Sequence, residues 1–294
     1  MNYPLDFTKM TAYGNDYIYV IDLDKNLINR DEVSRLLSER NFCVGSDGLI
    51  VVEKSNNADF FMRVYNPDGT EAEMCGNGLR SVGKLLFEKG YTDNEEIAIE
   101  TKSGIKMVKL DIENGIVVNI RADIGIPVFE CEKIPVKWNG ERLCGEQIEV
   151  AGRLFTAYAV SLGNPHLVLF CEEVDRLDLN KYGKAAENLT IFPKRTNVEF
   201  CRFNSRNSLR LRTWERGTGE TSACATGCCA CLCAGVLADK CDREVTVFQN
   251  GGKTYVEWDD VGHLHMTAPS KTVFEGKIML PGKYFKNICE SGRI

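Results

Sequence analysis

Runs of β-branched and aromatic residues, broken by Gly, Pro, Asn and Asp, occupy most of the chain. In the first half, residues 16–22, 49–53, 59–65, 96–101 and 106–111 read as strands, and Asn114-Gly115 marks a hairpin turn into 116–120. The second half has the same texture at 147–150, 154–160, 167–170, 198–203, 209–214, 245–249 and 255–258, with Asn250-Gly251-Gly252 among its turn signals. Helical spacing is rarer. Residues 29–39 open with an Asn29-x-x-Glu32 pair that predicts a capping box, and Val33, Leu36 and Leu37 fall on one face; 179–187 holds the matching place in the second half. Longer helices are predicted to begin at Cys75, where Leu79, Val82, Leu85 and Leu86 recur until Gly90, and at Cys224. The latter run, Cys228-Cys229-Ala230-Cys231-Leu232-Cys233-Ala234-Gly235-Val236-Leu237-Ala238, is apolar all round, and a helix of that kind is buried all round. Many strands and one enclosed helix per half predict an α+β protein of two pseudo-symmetric domains, each a barrel-like mixed β-sheet wrapped around a central α-helix.

The halves also share individual residues. Gly14-Asn15, Arg63, Glu71, Cys75 and Gly78 return as Gly163-Asn164, Arg212, Glu220, Cys224 and Gly227, a constant step of 149 (224 − 75). Such a repeat predicts two halves that fold alike and present Cys75 and Cys224 to one another across a cleft. The expected domains are 1–122, carrying Cys75, and 123–274, carrying Cys224; the chain crosses between them near 122–127, and the segment from about 275 to 294 returns to the first domain.

Composition narrows the partners. Of 294 residues, 44% are hydrophobic and 27% charged, enough apolar material for two cores. A net charge of −6 offers no basic footprint for nucleic acid or an anionic membrane, so a small-molecule partner is expected. The amino terminus has neither a basic start nor an apolar run, and no stretch approaches the roughly 20 apolar residues of a membrane span. A cytoplasmic protein is expected. Its thirteen cysteines, an odd number without regular spacing, read as reduced thiols. Cys43, Cys131, Cys144, Cys171, Cys201 and Cys289 are expected to be small buried hydrophobes. Cys228, Cys229, Cys231, Cys233 and Cys241 lack Cys-x-x-Cys spacing and fit a packed helix and its surroundings better than a metal site, so no metal is expected.

Cys75 and Cys224 stand apart because each opens a helix in a small-residue context: Cys75-Gly76-Asn77-Gly78 after the turn Asn66-Pro67-Asp68-Gly69, and Cys224-Ala225-Thr226-Gly227 after Arg216-Gly217-Thr218-Gly219-Glu220. The first amides of a helix lack intrahelical partners, and two such ends suit a carboxylate. A helix start also lowers a thiol pKa from about 8.5, so one member of the pair can serve as thiolate base. Two thiols on opposite sides of an α-carbon could remove a proton from one face and return one to the other, with no cofactor. Preorganised N–H donors would then stabilise the charge developing on the carboxylate.

In this order and register the motifs Gly14-Asn15-Asp16, Asn66-x-Asp68-Gly69, Cys75-Gly76-Asn77-Gly78-x-Arg80, Gly163-Asn164-Pro165-His166, Asn197-Val198-Glu199 and Glu215-Arg216-Gly217-x-Gly219-Glu220-Thr221-x-Ala223-Cys224 span nearly the whole chain. The sequence resembles the diaminopimelate epimerases, cofactor-independent two-cysteine isomerases. The resemblance implies interconversion of LL- and meso-diaminopimelate on the way to lysine and peptidoglycan precursors, with Cys75 and Cys224 as the acid–base pair. It also implies that the amides of Gly76, Asn77, Ala225 and Thr226 hold the α-carboxylate. Asn15, Asn66, Asn164, Asn197, Glu215 and Arg216 would bind substrate, and His166 and Glu215 would assist proton transfer. A homodimer is the implied assembly. Two positions depart from the commoner pattern: Ala225 replaces Gly, and Gly48 stands where some relatives carry a polar substrate contact.

Other readings lead elsewhere. A related racemase of a single-centred amino acid such as histidine would share the cysteines, and the distal residues would discriminate. A proline-racemase-like enzyme should carry His after the first Cys-Gly and Ser-Pro-Cys at the second cysteine, where this chain has Asn77 and Ser222-Ala223-Cys224. A binding protein or thiol switch linking Cys75 to Cys224 would leave the Asn, Glu and Arg set unexplained. A pyridoxal phosphate enzyme would be coloured when purified.

Overall fold

A computed structural model of the chain describes residues 1–286. The described chain divides into two units, one formed by Met1–Ala122 together with residues 269–286, the other by Asp123–Ala268. In chain order the first unit comprises β1 (Asn2–Ala12), β2 (Asn15–Ile21), α1 (Arg30–Ser38), β3 (Leu49–Lys54), β4 (Phe60–Tyr65), β5 (Glu71–Ala72), α2 (Gly76–Glu88), β6 (Glu96–Thr101) and β7 (Gly104–Glu113). β8 (Ile116–Gly125) leads out of it. The second holds β9 (Cys144–Val150), β10 (Arg153–Ser161), β11 (Pro165–Phe170), α3 (Leu179–Glu187), β12 (Asn197–Ser205), β13 (Ser208–Glu215), β14 (Gly219–Thr221), α4 (Ala225–Leu237), β15 (Glu244–Phe248), β16 (Lys253–Trp258) and β17 (Leu264–Ala268). β18 (Lys271–Pro281) then rejoins the first unit.

Both units follow one topology. In the first, β18, β1, β2, β3, β4, β6, β7 and β8 are hydrogen-bonded neighbours in that order, all antiparallel except the parallel pairs β2/β3 and β4/β6. In the second, β9, β10, β11, β12, β13, β15, β16 and β17 repeat the pattern, with β11/β12 and β13/β15 parallel. The parallel pairs need crossovers: α1 and α3 span the first of each set, α2 and α4 the second. The mixed α+β architecture expected from the sequence is what the chain adopts. The outermost strand of the first sheet comes from the end of the chain, and the β1–β18 register begins at Thr11↔Lys271, immediately after the return at Pro269.

Each sheet covers a central helix. α2 packs on β1, β2, β4 and β7 and is buried from Gly76 through Leu86. α4 packs on β10–β13 and β15–β17 and is buried from Gly227 through Gly235, which explains its lack of a polar face.

Some local expectations fail for identifiable reasons. Asn29 does cap α1, but in the left-handed conformation and without a side-chain capping bond, because its amide donates to the Lys283 carbonyl while Glu32 pairs with the Lys283 ammonium. Leu36 is exposed; α1 buries Val33, Ser34, Leu37 and Ser38, and the Ser34 hydroxyl donates to the carbonyls of Tyr65 and Asn66. Cys144 is exposed, since it begins an edge strand, and Cys43 is only partly buried. Cys131, Cys171 and Cys201 are buried; Cys289 lies outside the described residues.

Candidate active site

Cys75 caps α2 and Cys224 caps α4 by the same device. Each is extended, with φ/ψ of −137°/114° and −125°/117°, and each sulfur accepts a backbone N–H three residues on: Gly78 at 3.4 Å and Gly227 at 3.3 Å. The cap turns the backbone out of a β-conformation into the helix and places the thiol beside the partnerless first-turn amides.

Around Cys75 the first unit gathers Asn15 and Asn77. The Asn15 carbonyl accepts from Asn77 Nδ2 at 3.2 Å and lies 3.7 Å from Cys75 Sγ, while Asn15 Nδ2 donates to Asp47 at 2.9 Å. Asp47 is itself bound by Arg40, and the buried Arg80 donates to Asn77 Oδ1 at 2.6 Å. Asn15 and Asn77 are thereby fixed from behind. The Tyr17 hydroxyl bonds to the Cys75 sulfur; burial, and after it the sulfur, pushes the phenol well above its ordinary range, so it stays a donor. Asn66 lies in the turn after β4, where its side chain donates to Thr70 Oγ1 at 2.9 Å and its carbonyl receives Ser34.

Around Cys224 the second unit assembles a hydrogen-bonded chain. Cys224 Sγ lies 3.6 Å from Thr226 Oγ1, which accepts from Asn164 Nδ2 at 3.4 Å; the Asn164 carbonyl meets His166 Nε2 at 3.1 Å, and His166 Nδ1 meets Glu199 Oε1 at 2.8 Å. His166 and Glu199 are completely buried. The backbone N–H of Cys224 donates to Gln249 at 2.8 Å. Burial first, then the carboxylates of Glu215 and Glu199, pushes the Cys224 thiol well above its ordinary range, outweighing the Thr226 hydroxyl and the Gly227 amide that favour thiolate. At Cys224 these influences oppose the thiolate that a helix start favours.

Beside this chain, Glu215 accepts from Thr221 at 2.6 Å, and the Asn197 carbonyl accepts the Arg216 N–H at 3.0 Å while its amide donates to Pro165. The Arg216 guanidinium is exposed and donates to the Lys194 carbonyl. Ala225 occupies the first turn of α4, where its methyl group meets no conformational bar. Gly48 has a backbone reason to be glycine. Its φ is +145°, and a Cβ there would lie 2.2 Å from the Tyr65 carbonyl oxygen.

A family model for diaminopimelate epimerase matches residues 7–129 and 158–273. The diaminopimelate epimerase of Methanococcus maripaludis (strain S2) is 45% identical over 275 residues, covering 93% of this chain and 99% of its own. The chain belongs to the diaminopimelate epimerase family. That of Acetivibrio thermocellus is 44% identical, with 93% and 98% covered. Among solved structures, a hydroxyproline epimerase from Agrobacterium vitis superposes with a TM-score of 0.67 at 13% identity, over 99% of this chain and 98% of its own. A PhzF-family phenazine biosynthesis protein from Bacillus anthracis gives 0.66 at 18% identity, over 94% and 99%. At these identities the two share the fold.

Within this epimerase framework, several supporting residues escaped sequence reasoning. Asp47, Gln249 and Glu187 act on backbone or on other side chains, so no local motif marks them. Glu187 is buried and accepts the Gly217 N–H at 2.9 Å and the Trp214 indole N–H at 2.8 Å, which fixes the turn carrying Arg216. Tyr17 did leave a signal: stepping 149 residues from His166 (166 − 149 = 17) lands on it. Glu199 left another, as the lone charged residue inside the buried run Asn197–Cys201. Among the described residues no group of three or more His, Cys, Asp or Glu side chains could hold a metal ion, and no helix is long and apolar enough to cross a membrane.

Proposed function

We propose that this epimerase interconverts LL- and meso-diaminopimelate by two-base proton transfer, with Cys224 entering as the protonated acid and Cys75 taking the part of base. The observation that carries this reading is the matched capping of α2 and α4 by the two cysteines, in a chain 45% identical to a diaminopimelate epimerase. Burial and two carboxylates push the Cys224 thiol upward, which favours its entering protonated, while the Cys75 sulfur receives the Gly78 N–H and the Tyr17 hydroxyl.

The first-turn amides of Gly76, Asn77, Ala225 and Thr226 take the α-carboxylate, where donors preorganised by the helix starts stabilise the charge that develops as the α-proton leaves. One oxyanion donor of this kind contributes roughly 3 to 4 kcal/mol. Asn15, Asn66, Asn164, Asn197, Glu215 and Arg216 complete substrate binding. Arg216 suits the distal carboxylate and Glu215 an ammonium. His166 stands two hydrogen bonds from Thr226 and, through Asn164, orients the hydroxyl that lies beside Cys224. The same reading places the enzyme in lysine and peptidoglycan precursor synthesis, working in the cytoplasm as a homodimer without a cofactor.

Chiral chromatography of reduced protein incubated with LL-diaminopimelate tests the substrate. Formation of the meso isomer, with no racemisation of L-histidine under the same conditions, is the expected result. Racemisation of histidine with diaminopimelate untouched would overturn the assignment.

A further inference from the structure

Glu199 has no assigned part in the reaction, yet its position is difficult to explain by folding alone. It is completely buried in β12, one carboxylate oxygen bonds His166 Nδ1 at 2.8 Å, and the other, Oε2, has no hydrogen-bond partner among the described residues. Burying a half-satisfied carboxylate is unfavourable. The fold does not require it: the residue 149 positions earlier (199 − 149 = 50), in β3 of the first unit, is the fully buried Ile50. The two residues occupy the same place beneath the two helix starts. A Cβ built on Gly78 would lie 2.4 Å from Ile50 Cδ1, and one built on Gly227 would lie 2.9 Å from Glu199 Oε1. Gly227 thus lets a carboxylate approach the first turn of α4, next to Cys224, where an aliphatic group serves the other half.

We propose that Glu199 is a positioning residue of the epimerase reaction: its carboxylate accepts from His166 Nδ1 while the Asn164 oxygen accepts from Nε2, so both ring nitrogens donate, and the ring so held fixes Asn164, Thr226 and with them the Cys224 sulfur, while the Glu199 charge itself disfavours the thiolate. This rests on the two-base reading above. The charge of Glu199 acts on Cys224 together with Glu215 from β13, its own carboxylate bonds His166 of β11, and it also acts on Cys231 of α4, to which Cys201 of β12 is hydrogen-bonded. Removing one carboxylate from this set should ease ionisation of Cys224.

The test is Glu199→Gln, which keeps size and an acceptor oxygen and removes the charge. In a Cys75→Ala background, iodoacetamide labelling of the Cys224 peptide, followed by mass spectrometry against pH, should shift its midpoint down by about one unit or more. With both cysteines present, Glu199→Gln should lower kcat for diaminopimelate about tenfold or more while KM stays within about threefold. A folded variant with the unmodified protein's labelling curve and kcat would overturn the proposal. Labelling needs no substrate, so it reports on Glu199 even if diaminopimelate proves to be the wrong substrate. Should Glu199→Gln not fold, imidazole nitrogen NMR of the unmodified protein decides: a protonated Nδ1 on His166 is expected, and a bare Nδ1 would overturn the proposal.

Discussion

Tyr17 and His166 occupy the same place in the two halves of the chain, one in β2 and the other in β11, each two residues past a site asparagine. Tyr17 bonds the Cys75 sulfur directly, whereas His166 reaches Cys224 through Asn164 and Thr226 and is backed by Glu199. The two halves share a backbone plan but surround their cysteines with different chemistry: a phenol and two asparagines, backed by Asp47 and Arg80, at Cys75, and a threonine, an asparagine and an imidazole, backed by Glu199, at Cys224. Such asymmetry suits a reaction in which one thiol must begin protonated while the other removes a proton.

The turn that presents Arg216 rests on Glu187, so two substitutions there should separate binding from support. Arg216→Ala should raise KM about tenfold or more with kcat within about threefold, because a charge-assisted contact to the substrate is lost. Glu187→Ala strands the Gly217 N–H and the Trp214 indole, and should destabilise the protein by about 2–3 kcal/mol in urea unfolding as well as raise KM. Unchanged KM in Arg216→Ala would contradict the distal role.

Gly48→Ala should destabilise by about 2 kcal/mol or more, since the new methyl group would press on the Tyr65 carbonyl and, at 2.9 Å, on the Tyr17 ring. The ring displaced is the one that donates to Cys75, so kcat of the folded fraction should fall as well. Denaturant midpoints and initial rates check both effects; a variant as stable and active as the unmodified protein would show that the loop yields.

Buried thiols set an alkaline limit on stability. Burial, reinforced by neighbouring carboxylates and thiols, pushes Cys224, Cys229 and Cys231 well above the ordinary value of 9.0, and burial followed by Cys201 pushes Cys241 up to about 12. Below about pH 7.5 both folded and unfolded chains keep these protons, and the thiols contribute no pH dependence. Above it the unfolded chain releases protons that the native state retains, so stability falls as pH rises. Urea midpoints should be level up to about pH 7.5 and drop increasingly steeply above about 8.5. Equal stability at about pH 10.5 and pH 8 would contradict this.

What could be read from the sequence follows from where each signal resides. The interior strands β3 and β12 carry dense apolar runs, β13 alternates buried and partly buried residues, and the constant 149-residue step fixes the two cysteines and their asparagines. β1 and β18 are a different case. β18 buries only Leu280 fully and exposes Val273, Phe274 and Met279, so no alternation marks it, and pairing with β1 orders it instead. The same distant segment redirects Asn29 and Glu32 away from the capping box that their spacing suggests. At the site, residues that would touch substrate sit in motifs, whereas Asp47, Glu187 and Gln249 act on partners up to tens of residues away and become visible only once the chain is folded.

Proton NMR of the reduced protein with LL-diaminopimelate in D2O tests the two-cysteine account most directly. The account predicts deuterium at one α-position together with the meso isomer for the unmodified protein, and epimerisation lowered by about a thousandfold or more in folded Cys75→Ala and Cys224→Ala. Near-normal turnover in either variant, or no exchange by the folded and reduced unmodified protein, would contradict it.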